Sequence, residues 1–100
     1  MIGSVVQYDS VLAVWDENGN RIRTLSLNGG EMAGYSNRFI VLRYGNLIIT
    51  TDADQRQLGS TVLPEDYHIC GITSNGFLTK TGSLLQVYDQ YCNHKGIQSI

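Results

Sequence analysis

Short apolar runs separated by polar turns fill this chain of 100 residues. Val11 to Trp15 and Phe39 to Tyr44 are continuous runs rich in β-branched and aromatic residues, which is typical of strands buried on both faces. Asn18-Gly19 lies between two such runs and is a strong hairpin signal. No window of ten or more residues has the apolar spacing and the caps of a helix. We therefore predict an antiparallel all-β fold with almost no helix.

The same pattern predicts nine further strands along the chain. Most of them have Gly, Asn, Asp, Ser or Pro, the residues that favour turns, on at least one side. The segment 21–27 alternates between two faces, as expected of an outer strand. The nine segments are 5–8, 21–27, 32–35, 47–51, 58–63, 68–72, 77–81, 84–88 and 96–100.

The strand pattern repeats with a period of 36 or 37 residues. A fixed period in this range indicates a repeat architecture, in which no unit buries its apolar face alone. We predict one domain, residues 1–100, made of three units: 1–27, 29–64 and 65–100. The first unit lacks the opening segment that the others share. The alternative is an all-β domain whose hairpins merely have similar lengths. Equivalent positions include Gly34 with Gly71, Tyr8 with Tyr44, Leu63 with Ile100, and Asp16 with Asp52 and Asp89.

Three features recur in the units. An aliphatic strand ends in Asp (VLAVWD, NLIITTD, LLQVYD), and a turn and a polar outer strand follow it. Each complete unit also has Gly-Xaa-Ser/Thr near its start, at Gly34 to Ser36 and Gly71 to Thr73. Over its whole length the chain resembles the four-stranded antiparallel meanders that form β-propeller blades. The resemblance implies a stack of blades and a binding role.

The number of units departs from the propeller pattern, because three are fewer than the roughly four to eight blades of known propellers. Two arrangements resolve this. Copies of the chain assemble into a ring, with two chains giving six blades, or the meanders wrap into a compact sandwich or barrel as a monomer. Exposed sheet edges must be covered in either arrangement.

Composition and charge narrow the classes of partner. The net charge is −2, and the seven Lys and Arg residues are scattered, so we expect neither nucleic acid nor a membrane as partner. No apolar run approaches the roughly 18 residues that span a bilayer, and the N-terminus lacks the pattern of a signal peptide. These features predict a cytoplasmic protein. Two cysteines are too few for a disulfide scaffold.

The aspartates at equivalent strand ends, Asp16, Asp52 and Asp89, have two interpretations. They form a ring of carboxylates that binds a cation or a sugar, or each starts a turn by hydrogen bonding to the backbone two residues further on. The second interpretation is favoured, because Asp is among the commonest residues at turns. The three residues remain candidates for a binding site.

A set of His and Cys residues offers a second kind of metal-ligating chemistry, together with the nucleophilic chemistry of a thiol. Two thiolates and two imidazoles could bind zinc, or one thiol could act as a nucleophile beside a histidine base. The spacings are not those of common zinc modules, and no third orienting residue is evident. We therefore predict no metal, no cofactor and no enzymatic activity. The favoured interpretation has a buried Cys70 and a loop Cys92, with a disulfide between them as an alternative. The set is His68, Cys70, Cys92 and His94.

Aromatic residues are the remaining candidates for binding, since Tyr and Trp dominate interface hot spots. Packing between sheets is the favoured role for the set as a whole, and binding is the alternative. Tyr67 and Tyr91, which have polar neighbours, are the favoured surface residues. We expect a non-enzymatic protein-binding module, a small adaptor or inhibitor that self-associates through its sheet edges and engages another protein. The alternative is a carbohydrate or small-ligand binding module with equivalent sites in each repeat. The aromatic candidates are Trp15, Tyr35, Tyr67, Tyr88 and Tyr91.

Overall fold

The computed structural model describes residues 1–99, and these residues form eleven antiparallel strands and no helix. The all-β prediction is confirmed. Strand bounds follow the apolar runs closely, although β1 starts at Ile2 rather than Val5. Ile100, which the repeat aligns with Leu63, lies outside the described residues. The strands are β1 Ile2–Tyr8, β2 Val11–Asp16, β3 Arg21–Ser26, β4 Glu31–Tyr35, β5 Ile40–Tyr44, β6 Leu47–Thr51, β7 Gln57–Val62, β8 His68–Ile72, β9 Gly76–Thr81, β10 Leu84–Asp89 and β11 His94–Ser99.

The strands form three sheets, each a meander of consecutive strands. The first sheet contains β1 to β3, the second β4 to β7 and the third β8 to β11. Their first strands lie side by side, because β4 contacts both β1 and β8. No helix among the described residues has the length and apolarity to cross a membrane.

The second sheet lies between the other two and is covered on both faces. Successive side chains of a strand point to opposite faces, so Ile40 and Leu42 pack against the first sheet, whereas Phe39 and Val41 pack against the third. This explains the uninterrupted apolar run at 39–42. One core cluster contains Ile2, Val5, Leu12, Val14, Leu25, Leu27, Ile40 and Leu42. The other contains Phe39, Val41, Ile48, Leu63, Tyr67, Phe77, Tyr88 and Cys92.

Candidate functional site

The three equivalent aspartates form the same turn in each sheet. Asp16 Oδ1 accepts hydrogen bonds from the amides of Asn18 and Asn20, both at 2.9 Å. The carboxylates of Asp52 and Asp89 accept bonds of the same length from the amides two and four residues further on. The described residues include no cluster of three or more His, Cys, Asp or Glu side chains that could hold a metal ion. The geometry therefore assigns these aspartates to turns.

Charge strengthens the turns of Asp16 and Asp89. The amide of Asn20 lowers the pKa of Asp16. Partial burial alone would raise the pKa of Asp89, but the amides of Asn93 and Tyr91 outweigh it and lower the pKa overall. Asp89 also lies 3.5 Å from the Lys95 ammonium. Because the folded-state pKa of Asp89 is depressed, its contribution is present above the unfolded pKa and is lost as the pH falls through the folded value.

Replacing Asp89 tests this turn. Asp89→Ala should lower the free energy of unfolding by about 1 kcal/mol at pH 7, the usual value of a side chain that caps backbone amides. Asp89→Asn keeps an acceptor oxygen but removes the charge, so it should be destabilising at pH 7 and approach wild type only at acid pH, below the lowered folded-state pKa of Asp89. Urea unfolding at pH 7 and at acid pH measures the difference. A gap between Asp89→Asn and wild type that is independent of pH would contradict the assignment.

The His and Cys residues do not form one site. His68 and Cys70 lie on β8, and His94 lies on β11, which are opposite edges of the third sheet. Two strands separate these edges, so three strand spacings, about 14 Å, lie between them. Both cysteines are free. The zinc and disulfide alternatives therefore do not fit this arrangement.

The prediction of a buried Cys70 is wrong, whereas Cys92 lies in a loop as predicted but is buried there. Cys70 is exposed, whereas Cys92 is buried in the turn after β10. The Cys92 sulfur lies 3.6 Å from the Thr50 hydroxyl, which in turn donates to the Gln90 carbonyl at 2.6 Å. Burial raises the pKa of the Cys92 thiol despite its contact with Thr50. A buried, neutral thiol is a poor nucleophile, and here it joins the second sheet to the third.

Two of the aromatic candidates are core residues. Tyr67 is buried, and its hydroxyl donates to the Gly45 carbonyl at 2.9 Å; its assignment to the surface is wrong. Tyr88 is buried and stacks on Phe77, with 5.1 Å between ring centroids. Tyr35 and Tyr91 are exposed, at 37% and 51%. Tyr35 ends β4 in the second sheet, and Tyr91 lies in the turn between β10 and β11 of the third.

Trp15 lies on the outward face of the first sheet, the face turned away from the second sheet. Its cross-strand neighbours there are Ser4 and Arg21, and the Arg21 guanidinium is 5.4 Å from the centre of the indole ring. A groove of about 520 Å³ runs over this face and is open to solvent. Its lining includes Ser4, Val6, Trp15, Asp16 and Glu17.

The groove borders β1, which is an edge strand. In the second sheet the repeat-equivalent strand, β5, pairs with β4 on one side and β6 on the other. In the third sheet β9 likewise pairs with β8 and β10. β1 pairs only with β2 among the described strands, although the Ile2 amide at its start donates to the Asn37 carbonyl at 2.9 Å. The edge of β1 and the adjoining groove form the candidate site. Its polar residue Gln7 was missed in the sequence, although the shortened first unit was a signal for an open edge.

Comparison with protein-family models, with curated proteins and with solved structures finds no match for this chain.

Proposed function

We propose that the three sheets are β-propeller-type blades and that the chain is a non-enzymatic protein-binding module. Its ligand is an extended segment of another protein, which adds to the first sheet along β1. The observation that supports this is the open edge of β1, at the position where β5 and β9 each carry a further strand. An edge strand presents unpaired backbone groups and is a template for strand addition.

The ladder of the first hairpin indicates which groups face this edge. A two-residue turn, Asp9-Ser10, joins β1 to β2, and Tyr8 pairs with Val11 across it. In such a hairpin the residues flanking the turn bond to each other, and alternate residues point their amides and carbonyls outward. Val5 and Gln7 are the outward-pointing residues. The Gln7 side chain accepts the Met32 amide at 3.0 Å, which ties this end of the edge to β4.

The strands that occupy the equivalent position predict the sequence of the ligand. Met32 of β4 lies opposite Leu42, the equivalent of Val6, and Ile69 of β8 holds the same place in the third sheet. Gly34 and Gly71 follow two residues later, each after a bulge. The favoured segment therefore has an apolar residue beside Val6, in the groove, and a glycine two residues after it.

The carbohydrate-binding alternative requires an equivalent site in each repeat. The repeat-equivalents of Trp15 are Thr51 and Tyr88, and both are buried. Among the described residues, exposed aromatic side chains therefore do not recur at this position, and the geometry favours protein binding.

The test uses a peptide of this chain's own β4 as the probe. The labelled peptide GGEMAGYS, residues 29–36, should bind the intact protein with a dissociation constant on the order of 100 µM, about −5.5 kcal/mol. Fluorescence anisotropy measures the binding. The probe copies a strand that already fits the equivalent position, so the experiment does not require the natural partner to be known.

Two N-methylated peptides provide a matched control. In β4 the Met32 amide points away from β5, since it donates to Gln7, so the neighbouring Glu31 amide points toward β5. N-methylation at the Glu position should therefore abolish binding, whereas N-methylation at Met should leave it within about threefold. Equal effects of the two methyl groups would overturn the proposal. So would the lack of an anisotropy change at about ten times the expected dissociation constant.

A further inference from the structure

Among the described residues, the two sheets at the ends of the stack each have one face that no other sheet covers. On the third sheet, Leu78 and Val87 are cross-strand neighbours, and Leu85 lies beside Lys80 on the same face. These three apolar side chains are only partly buried. On the first sheet, Val6 lies next to Ala13, and Trp15 lies next to Ser4. We call these surfaces the Leu85 face and the Trp15 face.

The Leu85 face is equivalent, by the sequence repeat, to faces of the first and second sheets that are buried against a neighbouring sheet. By the repeat, Leu85 is equivalent to Leu12 of the first sheet and Ile48 of the second. Leu12 packs against the second sheet, Ile48 packs against the third, and each is 0% exposed. The same holds for Leu78, whose equivalents are Val5 and Val41. In two of the three sheets this face therefore covers the next sheet.

The Trp15 face is equivalent to the other side of this contact, namely the face of the second sheet that the first sheet covers. The equivalents of Val6 and Ala13 are Leu42 and Ile49, and both pack against the first sheet. The same type of junction, a packed contact between two neighbouring sheets, therefore occurs twice in the protein. The Leu85 face and the Trp15 face are the two surfaces that a third junction of this type would need. Charge does not oppose this contact, because Lys80 is exposed on the Leu85 face and the Trp15 face has Asp16 and Glu17 as well as Arg21.

We infer that the Leu85 face of one chain packs on the Trp15 face of a second copy. In this head-to-tail contact, two sheets of different chains pack in the same way as neighbouring sheets pack within one chain. Two copies cover all four end faces and form a ring of six sheets, within the range of about four to eight blades that propellers use. Strand addition at β1 is compatible with the ring. In the second sheet β4 holds the position that the added strand would take in the first sheet, and Met32 of β4 packs in the junction between the first and second sheets.

Light scattering after size-exclusion chromatography tests this contact. The wild-type chain should form a dimer of about 22 kDa, twice the 11.1 kDa of one chain, at protein concentrations up to ~1 mM, where weak standard-size contacts are populated. Val87→Arg should block the Leu85 face, and Val6→Arg should block the Trp15 face. Both positions point outward, and equal urea midpoints for variants and wild type would show that the fold is intact.

Mixing the two variants distinguishes head-to-tail from head-to-head association. Each variant alone should be a monomer, but each retains the face that the other has lost. The mixture should therefore form a heterodimer of about 22 kDa with one junction. A monomeric wild type, assembly without limit, or a dimer that survives Val87→Arg but not Val6→Arg would overturn the inference. The β4 peptide assay is independent of this result, because Val87→Arg leaves β1 unchanged.

Discussion

Replacing Phe77 with alanine should lower the free energy of unfolding by about 3–5 kcal/mol, the usual range for deletion of a buried aromatic ring. Phe77 is 1% exposed, stacks on Tyr88 and lies in the cluster between the second and third sheets. The cost has two parts: the lost transfer of the ring from water, and the cavity left where the surrounding strands cannot collapse. This domain is small, so the change removes a large fraction of its stability.

Urea denaturation followed by far-ultraviolet circular dichroism measures the effect. Phe77→Leu should cost less, about 1–2 kcal/mol, because most of the volume is retained, and it remains measurable if the alanine variant is unfolded. Leu84→Ala is the matched control. Leu84 lies on the neighbouring strand but is 43% exposed, so its loss should change stability by no more than about 0.5 kcal/mol. Similar costs at both positions would contradict the packing described for the third sheet.

Replacing Gly59 with valine should also be severely destabilising, by about 3 kcal/mol or more, because overpacking here cannot be relieved by a side-chain rotation. A Cβ atom at Gly59 would overlap the backbone carbonyl of Tyr91, in the turn between β10 and β11. At Gly59 the second sheet approaches this turn with a residue that has no side chain. Accommodating valine would require the two sheets to separate.

The third unit offers the matched control for this substitution. Gly96 is the repeat-equivalent of Gly59, yet a Cβ atom at Gly96 meets nothing within 4 Å. Gly96→Val should therefore be neutral or slightly stabilising, since valine favours strands. Unfolding of the monomer at low protein concentration gives both values. A cost at Gly96 equal to that at Gly59 would show that the loss reflects strand propensity rather than the contact with Tyr91.

Local pattern was enough to predict the strands and the turns. β-Branched runs bounded by turn residues define strands without reference to the rest of the molecule. The aspartate turn is also local: a carboxylate can reach the amides two and four residues further on whatever lies nearby. These features recur at Asp16, Asp52 and Asp89 because the sequence repeats, and the structure has the same hydrogen bonds at all three.

Burial at single positions was less predictable, because it depends on the neighbouring sheet. Tyr67 has polar neighbours in sequence, but the second sheet covers it and supplies an acceptor at Gly45. Cys92 lies in a turn, as predicted, yet that turn packs against Thr50 of the preceding unit. Nothing within a few residues of either position indicates these contacts.

The sequence by itself determined the fold class, the strands and the period of the repeat, since these follow from the local alternation of apolar and polar residues. Only the tertiary structure decided which sheets are covered. Leu12, Ile48 and Leu85 are equivalent in sequence, but the first two are fully buried and Leu85 is only partly so. The physical reason is position in the stack: an inner junction removes an apolar face from water, whereas the outer face of an end sheet is not covered by another sheet among the described residues.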